Sequence, residues 1–134
     1  MAKLAEIEGI GKSLSSKFEE QGISTVESLL EKCCTTTGRK EIAEKTGISE
    51  KRILRWVNMA DLFRVKGIGE EYADLLEAAG VDTVPELAQR NAKNLAERMA
   101  AVNQEKKLVR AVPPESRVSE WIEQAKVLPR KVEY

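Results

Sequence analysis

Apolar positions along this chain recur at helical spacing, and no stretch alternates apolar and polar residues convincingly, so the fold class is all-α. Residues 2–8 read as a short helix. Leu14 and Phe18, four apart, mark a second helix from Lys12 to Gln21, with Gly22 as its left-handed C-terminal residue. Val26, Leu29 and Leu30 define the next, which reaches Cys33 and Cys34. Ser24-Thr25-Val26-Glu27 has the form of a capping box at its start. Thr35-Thr36-Thr37-Gly38 breaks it. Arg39 to Thr46 then forms a short helix with Ile42 and Ala43 inward, closed by Gly47. Ser49 is a good N-cap for a longer helix whose inner face carries Ile53, Trp56, Val57, Ala60 and Phe63.

The pattern then begins again. Ile7-Glu8-Gly9-Ile10-Gly11 returns as Val65-Lys66-Gly67-Ile68-Gly69, and each copy opens a helix-forming segment. Two glycines around one apolar residue suit a turn that approaches another group closely or takes a positive φ, with the Ile facing the core. Phe18 aligns with Leu76, Gly22 with Gly80, Thr25 with Thr83 and Leu29 with Leu87, all 58 positions apart. Thr83-Val84-Pro85-Glu86 is the second capping-box candidate, with proline in the first turn. Further on, Ile42-Ala43-Glu44 matches Leu95-Ala96-Glu97 at an offset of 53, and Trp56 matches Trp121 at 65. The second copy therefore holds 12 extra residues, approximately Ala100 to Ala111, including Lys106, Lys107 and Arg110. Pro113-Pro114 starts a last helix with Val118, Trp121, Ile122 and Ala125 inward, and Pro129 stops it. Internal repetition sets the expected organisation. Residues 1–64 form one repeat and 65–134 the other, packed together as a pseudo-symmetric pair in one compact unit.

Composition narrows the chemistry. The 134 residues are 42% hydrophobic and 33% charged, as in a globular domain. Lys+Arg and Asp+Glu are both 22, so no global field draws the chain to polyanions, and only local patches can. No apolar run is long enough to span a bilayer, and the first residues lack the apolar core of a signal peptide, so no membrane partner is expected. Cys33 and Cys34 are adjacent, which suits a small buried pair better than a disulfide, and a reducing cytoplasm is the expected setting. There is no histidine, which removes the commonest general base and metal ligand. No phosphate-loop, metalloprotease or nucleophile-elbow pattern occurs. The chain reads as non-enzymatic, with no cofactor or metal.

Apolar-x-Gly-Ile-Gly-x-x-x-Ala, as in Val65 to Ala73, resembles the helix-hairpin-helix motif of DNA repair enzymes, recombinases and the RNA polymerase α C-terminal domain. The first copy departs by carrying Ser15 where Ala73 stands. Over nearly its full length the chain resembles a bacterial family, domain-of-unknown-function family 4332, through Trp56-Val57-Asn58-Met59-Ala60-Asp61-Leu62 and Gly80-Val81-Asp82-Thr83-Val84-Pro85-Glu86-Leu87-Ala88. The resemblance implies two helix-hairpin-helix repeats, SAM-like or five-helix-like. In DNA-binding relatives of the motif, backbone N–H groups at the start of its second helix donate to a phosphate oxygen, as at other helix N-termini. Such contacts position the protein on nucleic acid without reading sequence.

Carried over residue by residue, the implied nucleic-acid site comprises Gly9, Ile10, Gly11, Lys12 and Lys17 in hairpin one, and Lys66, Gly67 and Gly69 in hairpin two. Lys106, Lys107 and Arg110 add cations from the insertion. From Lys66 to Glu86, however, one base faces six acids, two of them in the first turn after Gly69, where they repel phosphate. Basic clusters lie elsewhere: Arg39, Lys40, Lys45, Lys51, Arg52 and Arg55 in the first half, and Arg90, Lys93, Arg98, Lys106, Lys107 and Arg110 in the second. These are either a surface for a nucleic-acid backbone or solvated faces laced by i, i+4 pairs. Asp82 reads as a capping residue, and both tryptophans as core anchors. Two functions stay open: sequence-independent binding of DNA or another nucleic acid, and a protein-interaction module whose hairpins are purely structural. Oligomeric state leaves no mark in the sequence.

Overall fold

Most helices start where a short polar side chain or a glycine turns the chain, and several stop at or beside a left-handed residue or a proline. The computed structural model describes Leu4, Ile7 and residues 10–133. Among these it contains α1 (Lys12–Glu20), α2 (Val26–Cys33), α3 (Thr36–Thr46), α4 (Glu50–Leu62), α5 (Glu70–Ala78), α6 (Val84–Ala88), α7 (Ala92–Lys106) and α8 (Glu115–Val127), and no strand. The chain is all-α. Most of the helix expected over 2–8 lies outside the described residues. Contacts divide the molecule into two compact units: the residues up to Asp61 together with the segment from Lys131, and Leu62–Arg130.

In unit 1, α2 packs on α3. Leu29 and Cys33 are fully buried, and Trp56 of α4 meets Phe18 of α1 edge-on, with ring centroids 5.9 Å apart. The expected capping box sits one residue later than the Ser24–Glu27 pattern suggests. Thr25 is the N-cap, its hydroxyl accepts from the Ser28 N–H, and Ser28 Oγ accepts from the Thr25 N–H. That register places Val26, not Thr25, in the core. The break after the cysteines is also shorter than expected. Thr35 caps α3 by accepting from the Gly38 N–H at 3.0 Å, so Gly38 belongs to the first turn of α3. Ser49 accepts from the Arg52 N–H as an N-cap should. Phe63 lies beyond the end of α4 and is only half-buried, whereas Leu62 is fully buried.

The C-terminal segment completes unit 1. The Glu133 N–H donates to Cys34 O at 2.7 Å, Lys131 pairs with Glu31 at 2.9 Å, and Val132 is buried. Arg39, expected on a basic surface, is buried instead. Its guanidinium donates to the carbonyls of Cys33, Cys34 and Glu133 and to the Thr36 hydroxyl. Three carbonyls and a hydroxyl match its planar fork of donors, so a permanent charge sits in the interior with no carboxylate partner among the described residues.

In unit 2, α8 packs on α6 and α7, and α5 on α7. Val118, Trp121, Ile122 and Ala125 face inward as their spacing predicts. Thr83, not Asp82, is the N-cap of α6 and accepts from the Glu86 N–H; Asp82 instead donates its own N–H toward the Glu86 carboxylate. The insertion lengthens α7 to 15 residues and adds the loop that follows it.

Local backbone hydrogen bonds recur at the offset seen in the sequence. Ile10 N–H donates to Ile7 O and Ile68 N–H to Val65 O; Ser15 N–H donates to Gly11 O and Ala73 N–H to Gly69 O. Ile23 N–H donates to Phe18 O at 2.9 Å and Val81 N–H to Leu76 O at 2.8 Å, around Gly22 and Gly80 with φ of 78° and 95°.

Candidate nucleic-acid interface

The described ends of the two glycine turns, at Gly11 and Gly69, are both extended N-caps, and the helices they open begin with opposite charge. Gly11 is the N-cap of α1 in an extended conformation, with no side chain capping the helix and no acid in the first turn. The N–H groups of an α-helix's first turn have no intrahelical partner, and here no side chain replaces one. A Cβ on Gly11 would meet nothing within 4 Å, so the turn is open to an approaching group. Lys12 and Lys17 are exposed, and neither makes an ion pair among the described residues. Ile10 is buried in the core, so its contribution to any contact is limited to its backbone. Gly9 lies outside the described residues.

Gly69 caps α5 in the same way, extended and without a side-chain cap, but Glu70 and Glu71 occupy the first turn. The preceding residues are committed to unit 2. Gln124 of α8 clasps Lys66 in both directions, accepting from its N–H at 2.9 Å and donating to its carbonyl at 3.2 Å. Gly67 has φ of 96°, and a Cβ there would stand 2.9 Å from the indole nitrogen of Trp121. Glycine is required at this position twice over, by its backbone angle and by the tryptophan beneath it. The Lys66 side chain remains exposed.

The third group of expected contacts lies after α7. Lys106 ends that helix, Lys107 is its C-cap in the left-handed region (φ 51°, ψ 48°), and Lys106, Lys107 and Arg110 are all exposed. Tyr72 of α5 reaches this loop, its hydroxyl 3.5 Å from Ala111 O, and its ring lies 5.2 Å from that of Trp121. Within unit 2, the glycine turn and the basic loop are thus linked through one tyrosine. Its role is not marked in the sequence, because residue 111 lies 39 positions away.

The first-half basic cluster is smaller than the sequence suggests. Arg39 is withdrawn into the core, Lys45 pairs with Glu41 at 2.9 Å, and Arg52 lies over the Trp56 ring at 5.0 Å. The hydrogen bond and charge of Lys45 hold the Glu41 carboxyl below its ordinary range. Burial pushes the Cys33 thiol up to about 11, which leaves it protonated and unreactive at neutral pH. Both cysteines are free thiols, and Cys34 is the more accessible.

The model of the family described as Domain of unknown function (DUF4332) matches residues 8–128, a span that includes both glycine turns and all eight described helices. The chain belongs to that family. No curated protein and no solved structure matches it. What this DUF4332 protein offers a ligand must therefore come from its own surface: an open, uncapped turn beside Lys12, an acid-flanked turn at Gly69, and a basic loop after α7. No helix among the described residues is long and apolar enough to cross a membrane.

Proposed function

We propose that this protein is a non-enzymatic, sequence-independent nucleic-acid-binding module of the helix-hairpin-helix type, with DNA the expected ligand. The observation that carries the reading is the start of α1: a glycine N-cap with no competing side chain, no acid in its first turn, and an exposed lysine directly after it. Free N–H groups and the positive end of the helix dipole suit one phosphate oxygen, and Lys12 supplies the mobile cation. Hairpin two has the same extended glycine N-cap at Gly69, but two carboxylates stand where phosphate would sit, so it serves to pack unit 2. A second reading, a protein-interaction module, is favoured by the acidic start of α5 and by Val127, an apolar side chain 81% exposed on α8.

Fluorescence anisotropy with a labelled random duplex and a single strand, at low and physiological salt, separates the two. Nucleic-acid binding requires affinity that falls steeply with salt, and Lys12→Glu should weaken it and flatten the logarithmic salt slope by about 1. Absence of binding at low salt would rule out the nucleic-acid reading, and pull-down for protein partners becomes the next experiment.

A further inference from the structure

Four glycines and one other residue take the left-handed conformation among the described residues, and the exception is Lys107. The contrast is sharpest against α3. That helix ends on Gly47 (φ 77°), whose N–H donates to Ala43 O; α7 ends on Lys107 (φ 51°), whose N–H donates to Asn103 O at 2.8 Å. The geometry is the same, and glycine is the residue that adopts it without steric cost. Attraction between a cation and the helix's negative end does not account for the lysine, because Lys106, one residue earlier, already supplies that cation.

The turn is also held in shape. The Asn103 side chain brackets Val109 as a second backbone would, donating to its carbonyl at 3.1 Å and accepting from its N–H at 2.9 Å. Val109 itself is buried. Residues 107–109 are thus anchored at both ends, with Lys106, Lys107 and Arg110 projecting to solvent and free of ion pairs among the described residues. From Arg98 to Pro114 the only carboxylate is Glu105, against four cations.

We infer that the Lys106–Arg110 turn is a built contact for the sugar–phosphate backbone of nucleic acid. In this reading Lys107 is kept in a glycine conformation because its charge is needed there. The inference rests on the nucleic-acid reading and assigns unit 2's share of the contact to this turn rather than to hairpin two. A clamped loop loses little conformational freedom on binding, so its three cations act together on successive phosphates. They read no sequence, since contacts to phosphate carry none.

The decisive variant is Lys107→Gly in the full chain, compared with Lys12→Glu and wild type. Thermal melting and anisotropy titrations on a labelled random duplex over a salt series provide the readouts, with poly-L-glutamate as a competing polyanion. Lys107→Gly should melt at or above the wild-type temperature yet bind duplex more weakly, its salt slope falling by about 1. Lys106→Gln, Lys107→Gly and Arg110→Gln combined should remove nearly 3 from the slope, at about 0.9 for each phosphate contact on duplex DNA. Unchanged duplex affinity and slope in Lys107→Gly, with Lys12→Glu still impaired, overturns this inference and leaves hairpin one standing. The reverse pattern removes hairpin one and keeps the turn. Wild-type chain that binds no duplex overturns both. Competition by polyglutamate as effective as by unlabelled duplex overturns the inference in favour of an acidic protein segment.

Discussion

Gly38 stands in the first turn of α3 with its Cα pressed against the end of α2. A Cβ there would lie 2.1 Å from Lys32 O and 3.1 Å from Thr35 Oγ1, and the first of these is backbone that cannot step aside. Replacing a helical glycine by alanine ordinarily stabilises by about 0.5–1 kcal/mol. At this site the sign should reverse. Gly38→Ala is expected to cost about 2 kcal/mol through overpacking, read from the midpoint of urea unfolding, and a gain in stability would refute the close approach. Sequence reasoning takes Gly38 for a helix breaker because a glycine among threonines signals a turn. Its actual task, letting two helix ends meet, depends on a carbonyl six residues earlier that no local pattern announces.

For whole helices, the legible part was the apolar spacing. Val26, Leu29 and Leu30, or Val118, Trp121, Ile122 and Ala125, are buried because residues three and four apart share one face. Helix boundaries were less legible because several hydroxyls compete for each cap. At α2, Ser24 and Thr25 are both good caps, and the choice falls to whichever register buries Val26. Thr25→Ala should therefore cost about 1 kcal/mol, while Ser24→Ala should fall within about 0.5 kcal/mol of wild type by the same denaturation measurement. A larger cost at Ser24 than at Thr25 would return the cap to the sequence-predicted position. The same limit applies to the candidate site. The open start of α1 and the acids at the start of α5 can be read from residue types alone. The left-handed Lys107 cannot be, since only the Asn103 clamp and buried Val109 put it there.

Across the whole molecule, Arg39 was the least predictable residue. An arginine beside a lysine on a short amphipathic segment reads as surface, and three of its four acceptors are backbone oxygens, one of them 94 residues away in sequence. Arg39→Met keeps much of the stem's volume but strands those acceptors. It is expected to destabilise unit 1 by about 3 kcal/mol, and native-state hydrogen exchange should show the Glu133 amide losing protection. Protection retained at Glu133 would mean that the segment from Lys131 is held by Val132 and the Lys131–Glu31 pair alone.

That clasp also makes unit 1 discontinuous in sequence. Leu62–Arg130 is one unbroken stretch, whereas unit 1 takes its last segment from the far side of that stretch. Closing a contact across 94 residues carries a loop entropy that is smaller once the intervening chain is already folded. On refolding from denaturant, unit 2 should therefore gain amide protection before the Glu133 N–H does, which pulsed hydrogen exchange would show. Until then Arg39 carries its charge in an interior that lacks one of its four acceptors.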